Sequence, residues 1–282
     1  MLVFIFAILS MDLFSQEIIR LKSESEVLEI RKKAFVSIEI LKNGKVISNG
    51  GGFFINKKGT LVTNFHVVYP SFKGHSLNNG KFRKIDMNDL LLKSFKTDLV
   101  YRFKDHTGKP LYFSLLGCGN DNNLDICYLK SNTSSRFYFP LKDIGLKKIK
   151  TKNISKFANY LSFRDLKIQS GKTKIVSKYE DFLQIKNQHK ENFNRKSFLL
   201  LVDKKIKIGD SGGPVFNSVN GDLYGITTIR YHDRFHNKDL NVIISVNEII
   251  ENEPSRNLDI PFPQIKKRKF KPDNRDPFKQ FK

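Results

Sequence analysis

The sequence predicts an all-β protein with a short helix near its C-terminus, and three observations support this fold class. Apolar runs of strand length recur between turns that contain glycine or asparagine. Helical periodicity is weak outside residues 16–33 and 246–251. A hydrophobic fraction of 39% with 25 phenylalanines is enough for a packed core, and no repeat of solenoid or propeller length is visible. This combination is typical of a β-sandwich or a β-barrel.

The strand-like runs follow one another through the middle of the chain. They are residues 34–41, 45–48, 52–55, 60–63, 99–103, 111–116, 126–129, 198–202, 213–216, 223–229 and 241–245. Residues 69–97 and the lysine-rich residues 177–196 have no such pattern, and we interpret them as loops or insertions.

The N-terminal residues 1–15 form an apolar run that is shorter than a membrane span needs. The segment resembles a secretory signal peptide with cleavage after Ser15, although no lysine or arginine precedes its apolar part. An uncleaved membrane anchor is the alternative. Either interpretation predicts an exported protein, periplasmic or secreted, that begins with a helix or linker at residues 16–33.

The formal charge of +22 favours anionic partners. The lysines are spread along the chain, so we interpret most of them as solvated surface and expect no specific nucleic-acid site. Residues 252–282 are rich in proline and contain the basic run 266–269, which predicts a mostly disordered tail. An arm that binds an anionic partner is the alternative for this tail.

Cys118 and Cys127 are the only cysteines. Export permits a disulfide between them across a predicted hairpin. A free, buried Cys127 thiol is an equally ordinary interpretation, because this residue lies inside an apolar strand. Two cysteines without a nearby histidine do not predict a metal site.

The segment KIGDSGGPVF, residues 207–216, surrounds Ser211 with three glycines. A serine hydroxyl is a weak nucleophile unless a base, a group that orients the base and donors for an oxyanion are nearby. Gly209 has the conformational freedom to aim its N–H inward beside the N–H of Ser211. These two N–H groups are therefore the predicted oxyanion hole.

His66 is the best candidate for the base among six histidines, because it follows the apolar strand of GTLVTNFHVVYP. We expect it to project from the rigid end of that strand. Asp125 is the candidate that orients it, because it directly precedes the buried run 126–129. Asp98 is a rival by local pattern, whereas Asp121 fits a turn.

The glycine pattern around Ser211 also matches the GxSxG elbow of α/β-hydrolases. That fold needs a parallel α/β pattern and a histidine after the serine. This chain is rich in β-strands, and its best histidine comes first. The order histidine, aspartate, serine is that of chymotrypsin-type peptidases.

Three motifs, TNFHVV at 63–68, LDICYLK at 124–130 and GDSGGP at 209–214, resemble those of trypsin-like serine peptidases, most closely the bacterial HtrA/DegP-like branch. The resemblance implies two six-stranded antiparallel β-barrels within residues 34–251. It implies that Ser211 forms an acyl-enzyme on protein or peptide substrates, that His66 is the general base and that Asp125 orients it. No metal or organic cofactor is implied.

The sequence departs from this family around the implied substrate pocket. The pocket would be formed by Lys205, Ile206, Thr227 and Thr228. A lysine at 205 stands where an acidic residue would select arginine or lysine, so we expect small apolar or acidic residues before the cleaved bond. Asp210 has no recognisable activation N-terminus to pair with, and we expect a lysine as its partner.

Residues 252–282 are too few for the PDZ domain that usually follows an HtrA protease domain. The resemblance therefore predicts neither PDZ-dependent regulation nor a particular oligomeric state. A second hypothesis for function is a non-catalytic protein that uses a peptidase scaffold and its basic surface to bind host or anionic partners. The complete set of His66, Asp125 and Ser211 argues against it, because binding alone does not require all three.

Overall fold

A computed structural model describes residues 23–69, 99–118, 125–145, 153–178, 199–233 and 238–254. Within them the helices are α1 (Glu24–Lys32), α2 (Phe65–Val68) and α3 (Val246–Glu251). Helix α1 begins where the sequence provides a capping box, in which Ser23 and Glu26 bond to each other's backbone N–H. No helix in the described part is long and apolar enough to cross a membrane.

The first sheet lies in the N-terminal half of the chain. Its strands are β1 (Phe35–Lys42), β2 (Lys45–Phe54), β3 (Thr60–Thr63), β4 (Leu99–Lys104), β5 (Pro110–Leu111), β6 (Phe113–Cys118) and β7 (Cys127–Ser131), in the order β5-β4-β1-β2-β3-β7-β6. Strands β1 and β2 form a hairpin through Asn43 and Gly44, whose φ angles of +51° and +75° suit a tight two-residue turn.

The second sheet is a closed six-stranded barrel. Its strands are β8 (Asn153–Arg164), β9 (Lys167–Lys178), β10 (Leu199–Val202), β11 (Pro214–Asn217), β12 (Leu223–Asp233) and β13 (Lys238–Ser245), in the order β10-β13-β12-β11-β8-β9. All strand pairs in both sheets that the structure describes are antiparallel.

The largest apolar core joins the two sheets. Phe139, in the segment between them, lies 5.1 Å from Phe53 of β2 and 5.3 Å from Phe216 of β11, measured between ring centroids. The buried Tyr128 of β7 donates its hydroxyl to the carbonyl of Ile249 in α3 at 2.8 Å. These contacts hold the two sheets together, so loops from both can meet at one place.

The all-β class and the helix at 246–251 are confirmed. The predicted pair of six-stranded antiparallel β-barrels is confirmed as two barrel-like sheets: the first is a half-barrel with seven described strands, and the second is a closed barrel of six strands. The predicted strands 45–48 and 52–55 are one strand, β2, since Gly50–Gly52 continue its pairing with β1. These glycines are part of the strand and lie in close contact with other chain segments.

The sequence did not reveal the hairpin of β8 and β9. Its turn is formed by Asp165 and Leu166, with φ angles of +52° and +58°. Glycine or asparagine usually marks such a turn, and neither is present. Residues 1–22, and with them the predicted signal peptide, lie outside the described part, as do residues 70–98, 179–198 and 255–282.

Candidate active site

His66 reaches Asp125 because β3 and β7 are neighbouring strands in which Thr63 pairs with Cys127. The structure corrects the predicted position of His66, which lies in the short helix α2 just after β3 rather than at a strand end. The side-chain amide of Asn64, the residue before α2, donates to the carbonyl of Asp125 at 2.7 Å. This bond fixes the start of the helix against the segment that carries the aspartate.

The carboxylate of Asp125 accepts three hydrogen bonds. Its Oδ1 receives the backbone N–H of His66 at 3.0 Å, and its Oδ2 lies 2.6 Å from His66 Nδ1. The hydroxyl of Thr228 donates to the same Oδ2 at 2.6 Å. A carboxylate only accepts, so Nδ1 carries a proton and Nε2 of a neutral imidazole is left with its lone pair. The arrangement therefore fixes the orientation of the His66 ring and leaves Nε2 as the nitrogen that can accept a proton.

Ser211 lies between β10 and β11 and meets the same threonine. Its Oγ donates to the backbone carbonyl of Thr228 at 3.4 Å. Thr228 thus contacts both Asp125, through its side chain, and Ser211, through its main chain. Within the described residues the Ser211 hydroxyl is not bonded to the His66 ring, and such bonds often form only when substrate is bound.

Two backbone N–H groups beside Ser211 are available for a negatively charged oxygen. Gly209 has φ +89°, and a Cβ there would lie 2.4 Å from the carbonyl oxygen of Phe163, so only glycine fits. The carbonyl of Gly209 accepts the N–H of Phe163 at 3.0 Å, which turns the peptide plane to a fixed direction. Across the described ranges neither Gly209 N–H nor Ser211 N–H has an acceptor.

The serine loop is held between the two sheets. Gly51 of β2 donates its N–H to the carbonyl of Ser211 at 2.8 Å, while Gly212 donates to Thr227 of β12 at 3.0 Å. Gly213 both donates to the carbonyl of Asp210 at 3.1 Å and accepts from Thr227 at 2.8 Å. The serine loop is therefore fixed by main-chain contacts to the first sheet and to the barrel.

Asp210 has a lysine partner, as the sequence led us to expect. Its Oδ2 accepts hydrogen bonds from Lys204 Nζ and, at 2.8 Å, from the backbone N–H of Lys207. Its Oδ1 lies 3.1 Å from Nε of Arg164. The geometry of this last contact does not meet that of a hydrogen bond, so it is a charge–charge contact. No pattern in the sequence pointed to Arg164.

The four predicted pocket residues have different positions. Lys205 is exposed. Ile206 is buried, and its N–H donates to the side chain of Asn241 at 2.9 Å. Thr227 is buried, and its main chain bonds the serine loop. Thr228 is also buried, and its hydroxyl is directed to Asp125. The ammonium of Lys204 faces Asp210, which leaves Lys205 and Lys207 as the exposed cations of this loop.

Cys118 and Cys127 form a disulfide between the neighbouring strands β6 and β7. The bond ends two residues from Asp125, so it ties the aspartate's segment to β6. No group of histidine, cysteine, aspartate or glutamate suited to a metal ion occurs in the portion of the chain described.

Replacing Thr228 with valine is expected to slow the modification of Ser211 by a fluorophosphonate about tenfold, because it removes one charge-assisted hydrogen bond to Asp125 while keeping the side-chain volume. The measurement is the rate at which a fluorophosphonate modifies the protein. The Thr228→Ser variant keeps the hydroxyl and serves as the control. A valine variant as fast as wild type, or a serine variant as slow as valine, would contradict this role.

The profile of the family described as "Trypsin-like peptidase domain" matches residues 50–226, which contain His66, Asp125 and Ser211. The crystal structure of the serine endoprotease from Yersinia pestis resembles this chain with a TM-score of 0.52 and 16% sequence identity. The match covers 82% of this chain and 65% of that protein. No curated protein sequence matches the chain.

The structural likeness shows the fold, and the family match assigns residues 50–226 to a trypsin-like peptidase domain. The match extends over more than half of the chain and includes strands of both sheets. The chain therefore belongs to the trypsin-like peptidase family.

Proposed function

We propose that the chain is an exported serine endopeptidase that hydrolyses peptide bonds through an acyl-enzyme on Ser211. The observation that carries the proposal is the pair of bonds from His66 to one carboxylate of Asp125. They fix both the position and the tautomer of the base, and Thr228 connects this pair to the serine loop. A protein that only binds its partners has no use for this arrangement.

Each residue has a defined part in the reaction. Nε2 of His66 takes the proton from the Ser211 hydroxyl while Oγ forms a bond to the carbonyl carbon of the substrate. The N–H groups of Gly209 and Ser211 stabilise the oxyanion. The carbon–nitrogen bond then breaks and His66 gives its proton to the leaving amine. A water molecule, activated by the same histidine, hydrolyses the ester and restores Ser211.

Export is supported by the apolar segment at residues 1–15 and by the Cys118–Cys127 disulfide, since disulfides persist in oxidising compartments. Cleavage after Ser15 would leave Gln16 as the first residue. N-terminal sequencing of the protein from the extracytoplasmic fraction tests this step. Recovery of the chain in the cytosol with residues 1–15 intact would argue against export.

The test of the catalytic proposal is modification by a fluorescent fluorophosphonate, which reacts with activated serines. We expect labelling of the wild type at Ser211, located by peptide mass spectrometry, and none in Ser211→Ala or His66→Ala. Ser114→Ala, which replaces an exposed serine of β6, is the matched control and is expected to label normally. Wild-type protein that neither labels nor cuts an unfolded protein at internal bonds would favour the binding hypothesis instead.

A further inference from the structure

A buried carboxylate stands next to the proposed nucleophile. Asp210 directly precedes Ser211 and is 1% exposed. Burying a charged carboxylate is unfavourable unless cations and donors surround it. Lys204, Arg164 and the N–H of Lys207 supply them, and all three come from within the chain.

We propose that Lys204, held against Asp210 and supported by Arg164, is a positioning residue that keeps the oxyanion-binding loop in its active form without a contribution from the chain's N-terminus. The inference rests on the proposed peptidase function of Ser211. It adds to that function a claim about how the site is assembled. Under it, the enzyme needs no cleavage that creates a new N-terminal ammonium to pair with Asp210.

The carboxylate of Asp210 closes a turn around Gly209. Its Oδ2 accepts the N–H of Lys207 at 2.8 Å, while its own N–H donates to the carbonyl of Lys207 at 3.0 Å. Gly209 lies inside this turn with φ +89°. If the side chain of Asp210 swings away, the turn loses one of its two bonds and the peptide of Gly209 is free to rotate. The predicted oxyanion hole would then lose one of its two donors.

Lys204 is built into the barrel. Its side chain is 8% exposed, and its ammonium lies 3.8 Å from the ring centroid of Tyr160 in β8. Its backbone N–H donates to the hydroxyl of Thr173 in β9 at 3.3 Å. An exposed lysine loses little free energy when it leaves an ion pair, because water solvates its charge. The ammonium of Lys204 instead lies between an aromatic ring and a carboxylate, which both stabilise its charge. It is therefore a fixed part of the site.

The charged and titratable groups around Lys204 predict an effect of pH. They are Asp210 and Lys207 in its own loop, Arg164 and Tyr160 in β8, and Asp203, which bonds Thr173. Burial is the largest influence and lowers the pKa of Lys204 below its ordinary value, although Asp210 opposes this. As pH rises, Lys204 loses its charge before exposed lysines do, and the hold on Asp210 weakens. Activity should fall on the alkaline side for this reason.

The experiment compares full-length wild type with Lys204→Met and Lys204→Arg. We expect Lys204→Met to lower kcat for peptide cleavage and the rate of fluorophosphonate labelling by about 100-fold, the loss typical for one oxyanion donor, with KM changed less than about threefold. Lys204→Arg keeps the charge and should restore most of the rate. It should also move the alkaline fall in activity to higher pH. Lys172→Met, which removes an exposed lysine of β9 paired with Glu24, should behave as wild type.

The outcomes separate this inference from the proposed function. Wild type that fails to label Ser211 overturns the function itself. Wild type that labels, together with Lys204→Met that labels equally fast, overturns only the role of Lys204. If Lys204→Met shows no cooperative thermal unfolding, the test is made with Lys204→Arg. The fall in activity of this variant at alkaline pH must then occur at a higher pH than that of the wild type. A full chain whose N-terminus is blocked by an intact fusion must also remain active, and dependence on a free N-terminus would refute the inference.

Discussion

Ser211→Ala and His66→Ala are each expected to lower kcat about 10⁶-fold, and the double variant is expected to lose no more than either single variant. The serine is a useful nucleophile only when the histidine takes its proton, and the later proton transfers of the histidine act only on intermediates that the serine has formed. Removing either one therefore removes the contribution of both. The measurement is kcat for cleavage of an unfolded protein or an activated ester by the three variants.

Asp125→Asn is expected to lower kcat less, by about 10⁴-fold, because Ser211, His66 and the oxyanion donors remain. In the wild type both His66 Nδ1 and the Thr228 hydroxyl donate to Oδ2 of Asp125. An asparagine amide placed toward His66 donates instead, so the imidazole carries its proton on Nε2 and is no longer a base there. Asp105→Asn, in the turn between β4 and β5, keeps its acceptor oxygen and is the matched control.

Two results would contradict this account of the site. Losses that multiply in the Ser211→Ala and His66→Ala double variant would show that the two residues act separately. An Asp125→Asn variant with the activity of wild type would show that the aspartate does not set the tautomer of His66.

The sequence was sufficient to select the three proposed catalytic residues because each lies beside a short apolar strand. Thr63 and Cys127 pair across β3 and β7, and this pairing brings the motifs of His66 and Asp125 together. The glycine-rich loop could be identified for a similar reason, since a positive φ at Gly209 excludes most other residue types. Local sequence patterns therefore predict a residue's position wherever a backbone conformation or a strand pairing determines it.

The contacts that the sequence did not reveal depend on residues far apart in the chain. Arg164 reaches Asp210 only because β8 pairs with β11 inside the barrel. The turn that follows β8 contains no glycine or asparagine, so the sequence does not indicate the hairpin to which Arg164 belongs. Thr228 was predicted to form a pocket wall. Its hydrogen bonds to Asp125 and to Ser211 are a further feature, and they form only because β12 comes close to both residues in the folded chain. Such roles follow from the assembled fold, and no local pattern encodes them.

Gly212→Ala is expected to lower the free energy of unfolding by about 4 kcal/mol or more, a loss in the range of severe core defects. Gly212 has φ +79°, and a Cβ there would lie 1.9 Å from the carbonyl oxygen of Gly51 and 2.7 Å from the hydroxyl of Thr63. Those two atoms are already bonded to each other at 2.7 Å. Neither belongs to a flexible chain end, so the serine loop and β2 would have to separate.

Gly44→Ala separates backbone strain from this steric conflict. Gly44 has a similar φ of +75°, but a Cβ there meets nothing within 4 Å. It should therefore lose only about 1–2 kcal/mol, the cost of a left-handed conformation for alanine. Denaturant unfolding of both variants with the disulfide intact gives the comparison. Equal losses in the free energy of unfolding would mean that the serine loop and β2 can move apart at Gly51 at little cost. A much larger loss at Gly212, with slower labelling of Ser211, would mean that close main-chain contact between the sheets holds the nucleophile in place.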